Sequence, residues 1–346
     1  MTTAVVVGAC GSTTTGGSGS SQQRDPATLN LGYLVNFTHA PALIGMSQNF
    51  FQDAMPSGTT VKTTTFTSGT PESEALLGGT LDAAFVGPGP AINAFIKTKG
   101  NVVIVAGTAS GGAGLVVSSN IASGNFPADL AGQTLSTPSL GNTQDIALRT
   151  WLASKGLRSP INGGGQVNID TSSGNSVSLQ NFEAGKIAGG WVPEPYESEF
   201  ILQGKGTLAV DEASLWPGGQ FPSTVLVVTK TLLQNHPDIV NDLLKGLLKS
   251  INWINANEST APQAVNTALA ATTGGKALKP YVLALAWTRL TFTLDPFAAD
   301  LQTDANNAKA LGFNKASDIK GILDLAPLNT ILTAAGQPTV SAGSLG

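Results

Sequence analysis

Hydroxyl, amide and glycine residues recur in this chain at one kind of place, between the end of an extended run and the start of a helical one. Thr38-His39-Ala40-Pro41, Ser68-Gly69-Thr70-Pro71, Gly87-Pro88-Gly89-Pro90, Leu140-Gly141-Asn142-Thr143 and Pro193-Glu194-Pro195-Tyr196 all fit that description. A helix start leaves backbone N–H groups free and carries the positive end of the helix dipole. Several starts gathered in one cleft would hold a small anion or a strongly polar group, and the hydroxyls of Thr38, Ser68, Thr70 and Thr143 would add donors. The candidate ligand contacts are Thr38, His39, Ser68, Gly69, Thr70, Gly87, Pro88, Gly141, Asn142, Thr143 and Glu194, with Trp191 as a stacking surface at a strand end. Each also has an ordinary structural reading. His39 could pack in its loop, Gly87 to Pro90 could be a tight turn, and Asn142-Thr143 could be a helix cap. Trp191 could be core, since it aligns with Phe85. Glu194 could be a solvated acid or a partner for a ligand amine. His236, before Pro237 and Asp238, reads as a surface helix start without function.

Signs of covalent chemistry are missing. Cys10 is the one thiol, and His39 and His236 are the only imidazoles. The sequence has no Gly-x-Ser-x-Gly elbow, no Walker A loop and no His-Glu-x-x-His helix, and its scattered carboxylates nominate no glycosidase pair. The expectation is a protein that is not an enzyme, with no catalytic residue, no metal and no cofactor. A net charge of −4 without a basic stripe argues against nucleic acid.

The elements that would position these loops alternate. Leu29 to Val35, Val61 to Phe66, Asp82 to Val86 and Val102 to Ala106 read as strands, and helical runs begin at Pro41, Thr70 and Pro90. The pattern returns with strands at Gly132 to Thr137 and Val167 to Asp170 and a helix carrying Ile146, Leu148, Trp151 and Leu152. Gly185 to Val192 repeats the spacing of Gly79 to Val86, as one sub-motif in each of two lobes. Alternation of this kind predicts α/β lobes with largely parallel sheets, whose ligands bind at the carboxyl ends of the strands. Past Val228 helices dominate. Residues 231–256 place Leu232, Val240, Leu243, Leu244, Leu247, Leu248, Ile251 and Ile254 on one face. With 346 residues there is room for two lobes of about 100–150 residues each. Beyond residue 27 no apolar run reaches the ~18 residues a membrane span needs.

Cys10 follows a short apolar run, Ala4 to Ala9, and precedes a Gly/Ser/Thr-rich tract. Val7-Gly8-Ala9-Cys10 resembles a bacterial lipobox, which implies acylation of Cys10 and a flexible tether to the membrane. Against this, the segment before Cys10 has no Lys or Arg and its apolar stretch is short. Residues 1–26 are read as signal remnant and tether, outside the fold.

Taken in order, Thr38-His39-Ala40-Pro41, Leu81 to Pro90, Leu140 to Asp145 with Ala147-Leu148-Arg149 and Trp151-Leu152, Trp191 to Tyr196, and Phe292 to Pro296 resemble the aliphatic-sulfonate/nitrate/taurine group of ABC substrate-binding proteins. The likeness covers most of residues 29–300. It implies a two-lobed periplasmic-binding-protein type II fold, each lobe a mostly parallel sheet flanked by helices, joined by crossover strands near Val116–Ser119 and Phe221–Val225. The implied division is 27–117 plus 225–346 for one lobe and 118–224 for the other. The ligand would lie between the lobes, held by the loops at Thr38, Ser68, Gly87, Gly111, Asn142 and Glu194. The resemblance implies a monomeric, extracytoplasmic, lipid-anchored protein that captures a small anionic or polar solute and delivers it to an ABC permease with its ATPase subunits. An aliphatic sulfonate or taurine-like compound is the first expectation. Nitrate, bicarbonate, a thiamine-precursor pyrimidine, or a lyase or hydrolase on the same fold are the alternatives.

Overall fold

The computed structural model describes residues 1, 28–275 and 277–346, so Cys10 and the tether lie outside the described residues. Two sheets organise the rest. The first runs in the order β11-β4-β10-β3-β1-β2 and the second β7-β6-β8-β5-β9. The strands are β1 Thr28–Leu34, β2 Thr60–Phe66, β3 Ala83–Val86, β4 Val102–Gly111, β5 Ala113–Ser118, β6 Thr134–Ser136, β7 Asn168–Asp170, β8 Gly189–Pro193, β9 Gly206–Asp211, β10 Pro222–Thr229 and β11 Leu290–Thr291. In the first sheet β1 is parallel to β2 and β3, while β10 runs antiparallel between β3 and β4. In the second, β6 is parallel to β7 and β8, and β5 runs antiparallel between β8 and β9. The two sheets therefore share one strand order, β2-β1-β3-β10-β4 matching β7-β6-β8-β5-β9, and in each the antiparallel member stands fourth. The repeat seen in sequence falls on β3 and β8, which hold the same place in the two orders.

The chain passes from sheet to sheet at Gly111–Gly112, ahead of the expected 117/118 division, and returns between Asp211 and Pro222. Both glycines have positive φ, 82° and 70°, a region side chains with a Cβ rarely occupy. Arg289 O lies 2.5 Å from where a Cβ on Gly111 would stand. A side chain there would collide with the backbone as well as strain it.

Alternate residues of the second sheet point to opposite faces. Leu115, Val117 and Trp191 enter one core cluster with Trp151 and Leu135, while Val116 and Val192 enter another with Phe182 and Phe200. The first lobe has one large core. Its β4 and β10 are buried along nearly their whole length, as expected for strands covered on both faces. Helix Pro237–Ala256 presents Val240, Leu243, Leu244, Leu247, Ile251 and Ile254 to that core, each worth about 1.5–3 kcal/mol when fully buried.

Some expected helices are broken. The run that begins at Pro41 is two helices, Ala40–Ser47 and Phe50–Ala54, parted by Asn49 at φ 58°. Asn tolerates the left-handed region better than other side chains, and the turn sends Phe51 into the core beside Phe85. The run 231–256 is Lys230–Asn235 and Pro237–Ala256, divided where Pro237 has no N–H to continue the ladder.

Candidate ligand-binding cleft

Strands β1, β2 and β3 end at Leu34, Phe66 and Val86, and the loops that follow all leave the same edge of the first sheet. The loops after β6 and β8 leave the corresponding edge of the second sheet. A cavity lies where the two edges meet. Leu34, Asn36, Thr38, His39, Gly69, Gly87 and Pro90 line it from the first lobe, Asn142, Thr143, Gln144 and Pro193 from the second, and Ser223 from β10. About 20 Å³ of it is open to the centre of a water molecule, little more than the ~10–15 Å³ that one water requires. None of these lining residues carries a full charge, since the one titratable group, His39, is held neutral.

Three helices begin at this cavity. Helix Gly69–Leu77 starts after Ser68, helix Pro88–Lys97 after Gly87, and helix Thr143–Ser154 after Asn142. Neither Ser68 nor Gly87 supplies a side-chain cap. Asn142 does, accepting from Asp145 N at 2.9 Å, while Gly141 N donates to Asp145 Oδ2 at 2.8 Å. Asp145 also pairs with Arg149 at 2.8 Å, both buried. This reciprocal arrangement fixes the entry of the helix and leaves the Asn142 amide nitrogen 2.9 Å from Gln144 Oε1. The three dipole ends make the cavity a place for negative or strongly polar groups, without a cation to pair them.

Thr38 and His39 stand on a short 3-10 turn, Phe37–His39, at the end of β1. His39 is 1% exposed. Its Nε2 donates to the Phe85 carbonyl at 2.9 Å, and its Nδ1 lies 2.8 Å from Asn36 Oδ1. Thr38 Oγ1 donates to Asn36 Oδ1 at 2.8 Å and lies 3.0 Å from His39 Nδ1. Burial drives the His39 pKa down to about 3, the hydrogen bond to Phe85 only partly opposing it. The ring is neutral at physiological pH and ties the Thr38 loop to β3.

Of the residues singled out in the sequence, Thr38, His39, Gly69, Gly87, Asn142 and Thr143 line the cavity together. Ser68 is buried directly before Gly69, and Pro88 and Gly141 adjoin lining residues. Thr70 sits at the lip, where its hydroxyl donates to Leu140 O at 3.0 Å and meets Ser139 Oγ at 3.1 Å. Three others are placed elsewhere. Trp191 is fully buried in the second-lobe core, its indole N–H donating to Glu212 Oε2 at 2.7 Å. Gly111 is at the crossover. Glu194 is fully buried and faces away, accepting from Ser198 N and Oγ at 3.1 and 2.9 Å, with Arg289 Nε 3.6 Å off. Its backbone N–H reaches Gly112 O at 2.8 Å and its carbonyl accepts from Phe37 N at 3.1 Å. Asn36, Gln144 and Ser223 line the cavity without having been marked in the sequence. Ser223 lies within the segment expected to cross between lobes. Among the described residues no group of three or more His, Cys, Asp or Glu side chains could hold a metal ion. No helix among them is long and apolar enough to cross a membrane.

Two sheets of one order, each completed by an antiparallel strand and enclosing a polar cavity between their carboxyl edges, define a type II periplasmic-binding-protein fold. The chain belongs to the NMT1-like family, whose model matches residues 22–269. Among solved structures it is similar to the alkanesulfonate-binding protein SsuA from Xanthomonas axonopodis pv. citri bound to MOPS, at 18% identity and TM-score 0.68, covering 83% of this chain and 94% of that one. It is similar to the periplasmic nitrate-binding protein NrtA from Synechocystis PCC 6803 at 16% identity and TM-score 0.71, covering 92% and 91%. The periplasmic aliphatic sulphonate binding protein SsuA from Escherichia coli matches at 18% identity and TM-score 0.64, covering 84% and 88%. No curated protein sequence matches the chain.

Proposed function

We propose that this chain is the extracytoplasmic solute-binding component of an ABC importer, and that it binds a small oxyanion without converting it. In this reading the solute passes to a membrane permease driven by ATPase subunits, and acylated Cys10 keeps the protein at the membrane as a monomer. The observation that carries the reading is the cavity itself, on which three helix N-termini from two lobes converge with hydroxyl and amide side chains and no ionised group. A tetrahedral sulfonate head suits such a ring of donors, and two of the similar structures are named as sulfonate binders. An amine-bearing ligand such as taurine gains no support from Glu194, whose carboxylate is turned to Ser198 and Arg289. The narrowness of the cavity favours a second reading, a compact inorganic anion such as nitrate or bicarbonate.

A thermal-shift series on the full chain with methanesulfonate, longer alkanesulfonates, taurine, nitrate and bicarbonate separates these readings. A bound anion at a hundredfold excess over its Kd adds about 2.7 kcal/mol of stability. A rise with sulfonates supports the first reading and a rise with nitrate or bicarbonate alone the second. A flat series on folded protein, with product-free recovery of every compound, would remove the anion assignment.

A further inference from the structure

Beside the cavity the two lobes touch through buried small residues. Gly89 N donates to Thr143 Oγ1 at 3.2 Å, a bond from the first turn of helix Pro88–Lys97 in one lobe to the first turn of helix Thr143–Ser154 in the other. A Cβ on Gly87 would stand 2.5 Å from Thr143 Oγ1 and 3.6 Å from Thr143 Cβ. A Cβ on Gly89 would stand 3.1 and 3.2 Å from Thr143 N and Cα, and 3.0 Å from Ile146 Cδ1. Neither glycine has a positive φ, so backbone conformation does not call for glycine at either position. Proximity to the opposite lobe is what a side chain would disturb.

We infer that Thr143 is a positioning residue that docks on Gly87 and Gly89 and fixes how far the cleft closes, and that these two glycines admit it. The inference rests on the solute-binding reading for its purpose, but its geometry needs no ligand. The obstruction differs between the two sites. At Gly87 an added methyl group meets mainly the Thr143 hydroxyl, which another substitution can remove. At Gly89 it meets the backbone of Thr143, which no substitution removes. Thr143 Oγ1, having accepted the Gly89 N–H, keeps its own proton for the cavity.

The test measures lobe separation in the full chain without ligand, by nitroxide distance between Glu74→Cys and Ser154→Cys in a Cys10→Ser background. Both label sites are exposed, one in each lobe. Gly87→Ala should lengthen the distance, and adding Thr143→Ala should return it to the parent value. Gly89→Ala should lengthen it with or without Thr143→Ala. Thr143→Ser, which keeps the hydroxyl, should leave the parent distance unchanged. An unchanged distance in Gly87→Ala, or equal rescue of both glycine variants by Thr143→Ala, overturns the inference. Circular dichroism on each variant confirms a folded chain; a Gly87→Ala chain that unfolds is replaced by Gly87→Ser, for which the same distances are expected. Failure of methanesulfonate and nitrate to bind the parent would count against the proposed function and leave these distances to decide the latch.

Discussion

The boundary between the lobes has two unlike ends. At the mouth, Gly89 N donates to Thr143 Oγ1 and the Thr70 hydroxyl donates to Leu140 O, bonds between neutral groups. At the crossover, Arg289 from the first lobe reaches three second-lobe carboxylates. Nη1 is 3.0 Å from Glu197 Oε1 and 3.5 Å from Asp211 Oδ2, and Nε is 3.6 Å from Glu194 Oε1. Glu194 and Glu197 are almost wholly buried. A neutral hydrogen bond contributes only about 0.5–1.5 kcal/mol net and is replaced by water when it opens. Separating a buried charge from its partner costs far more. In the proposed function the lobes would part at the mouth and stay joined at the crossover, and the chemistry at each end suits that division.

The largest effect should come from breaking the charged end. Arg289→Ala would strand Glu194 and Glu197, and partial exposure of Arg289 tempers the loss to about 2–4 kcal/mol at pH 8, by urea denaturation. The loss should shrink at pH 5. Burial raises the Glu194 pKa to about 7 from 4.5, with the Ser198 hydrogen bonds and Arg289 opposing it, and burial raises Glu197 as well. Between pH 4.5 and 7 the folded protein therefore keeps protons that the unfolded chain has released. Stability from these groups is full below about 4.5 and declines as pH rises through 7. Without Arg289 both carboxyls hold their protons to higher pH, so acid conditions spare the variant. Equal losses at pH 5 and pH 8 would mean the guanidinium serves packing alone.

That comparison was only half legible in the sequence. The mouth could be read because its parts are local. Thr38, Gly87 and Asn142 each sit at a strand-to-helix junction, and such junctions carry hydroxyls, prolines and glycines in recognisable order. The paired motifs at Gly79 and Gly185 likewise placed β3 and β8 correctly, because two small residues followed by an aromatic and valine are a local record of a buried strand. The crossover could not be read that way. Arg289 meets Glu194 and Glu197 only through the fold, and nothing in the residues beside any of them announces the others. Trp191 and Glu194 looked like cleft residues because they adjoin the end of β8. Side chains alternate across a strand, and Trp191 goes to the core. Strands β9 and β11 were not anticipated, β9 being half exposed and β11 only two residues long.

A smaller effect separates scaffold from contact at the mouth. Asn142→Ala removes the cap on Asp145 N and should cost about 1 kcal/mol of stability, whereas Asn142→Ser retains a capping oxygen and should stay within about 0.5 kcal/mol. Both remove the amide group at the cavity wall, so both should weaken the bound anion by roughly threefold to tenfold, equivalent to one neutral hydrogen bond. Calorimetric titration beside urea melts distinguishes the two. A serine variant with the parent's affinity would confine Asn142 to capping.

The smallest expected effect is a null one, and it bears hardest on the contrast between the ends. If the mouth is neutral throughout the physiological range, anion affinity should change by less than about twofold between pH 5 and 8, since a one-unit pKa change is worth 1.36 kcal/mol and none is due there. His39 is the only titratable side chain lining the cavity, and with its pKa near 3 it stays uncharged across that window. Over the same window the stability of the whole chain should fall with rising pH through Glu194, and through Glu212, which burial likewise raises to about 7 against the hydrogen bond from Trp191. Binding and stability should thus part company as pH is varied. An affinity that climbs tenfold from pH 8 to pH 5 would show that His39 gains a proton when the anion arrives. The imidazolium would then supply the cation that the cavity otherwise lacks, and the mouth would have to be regarded as a charged site in its own right.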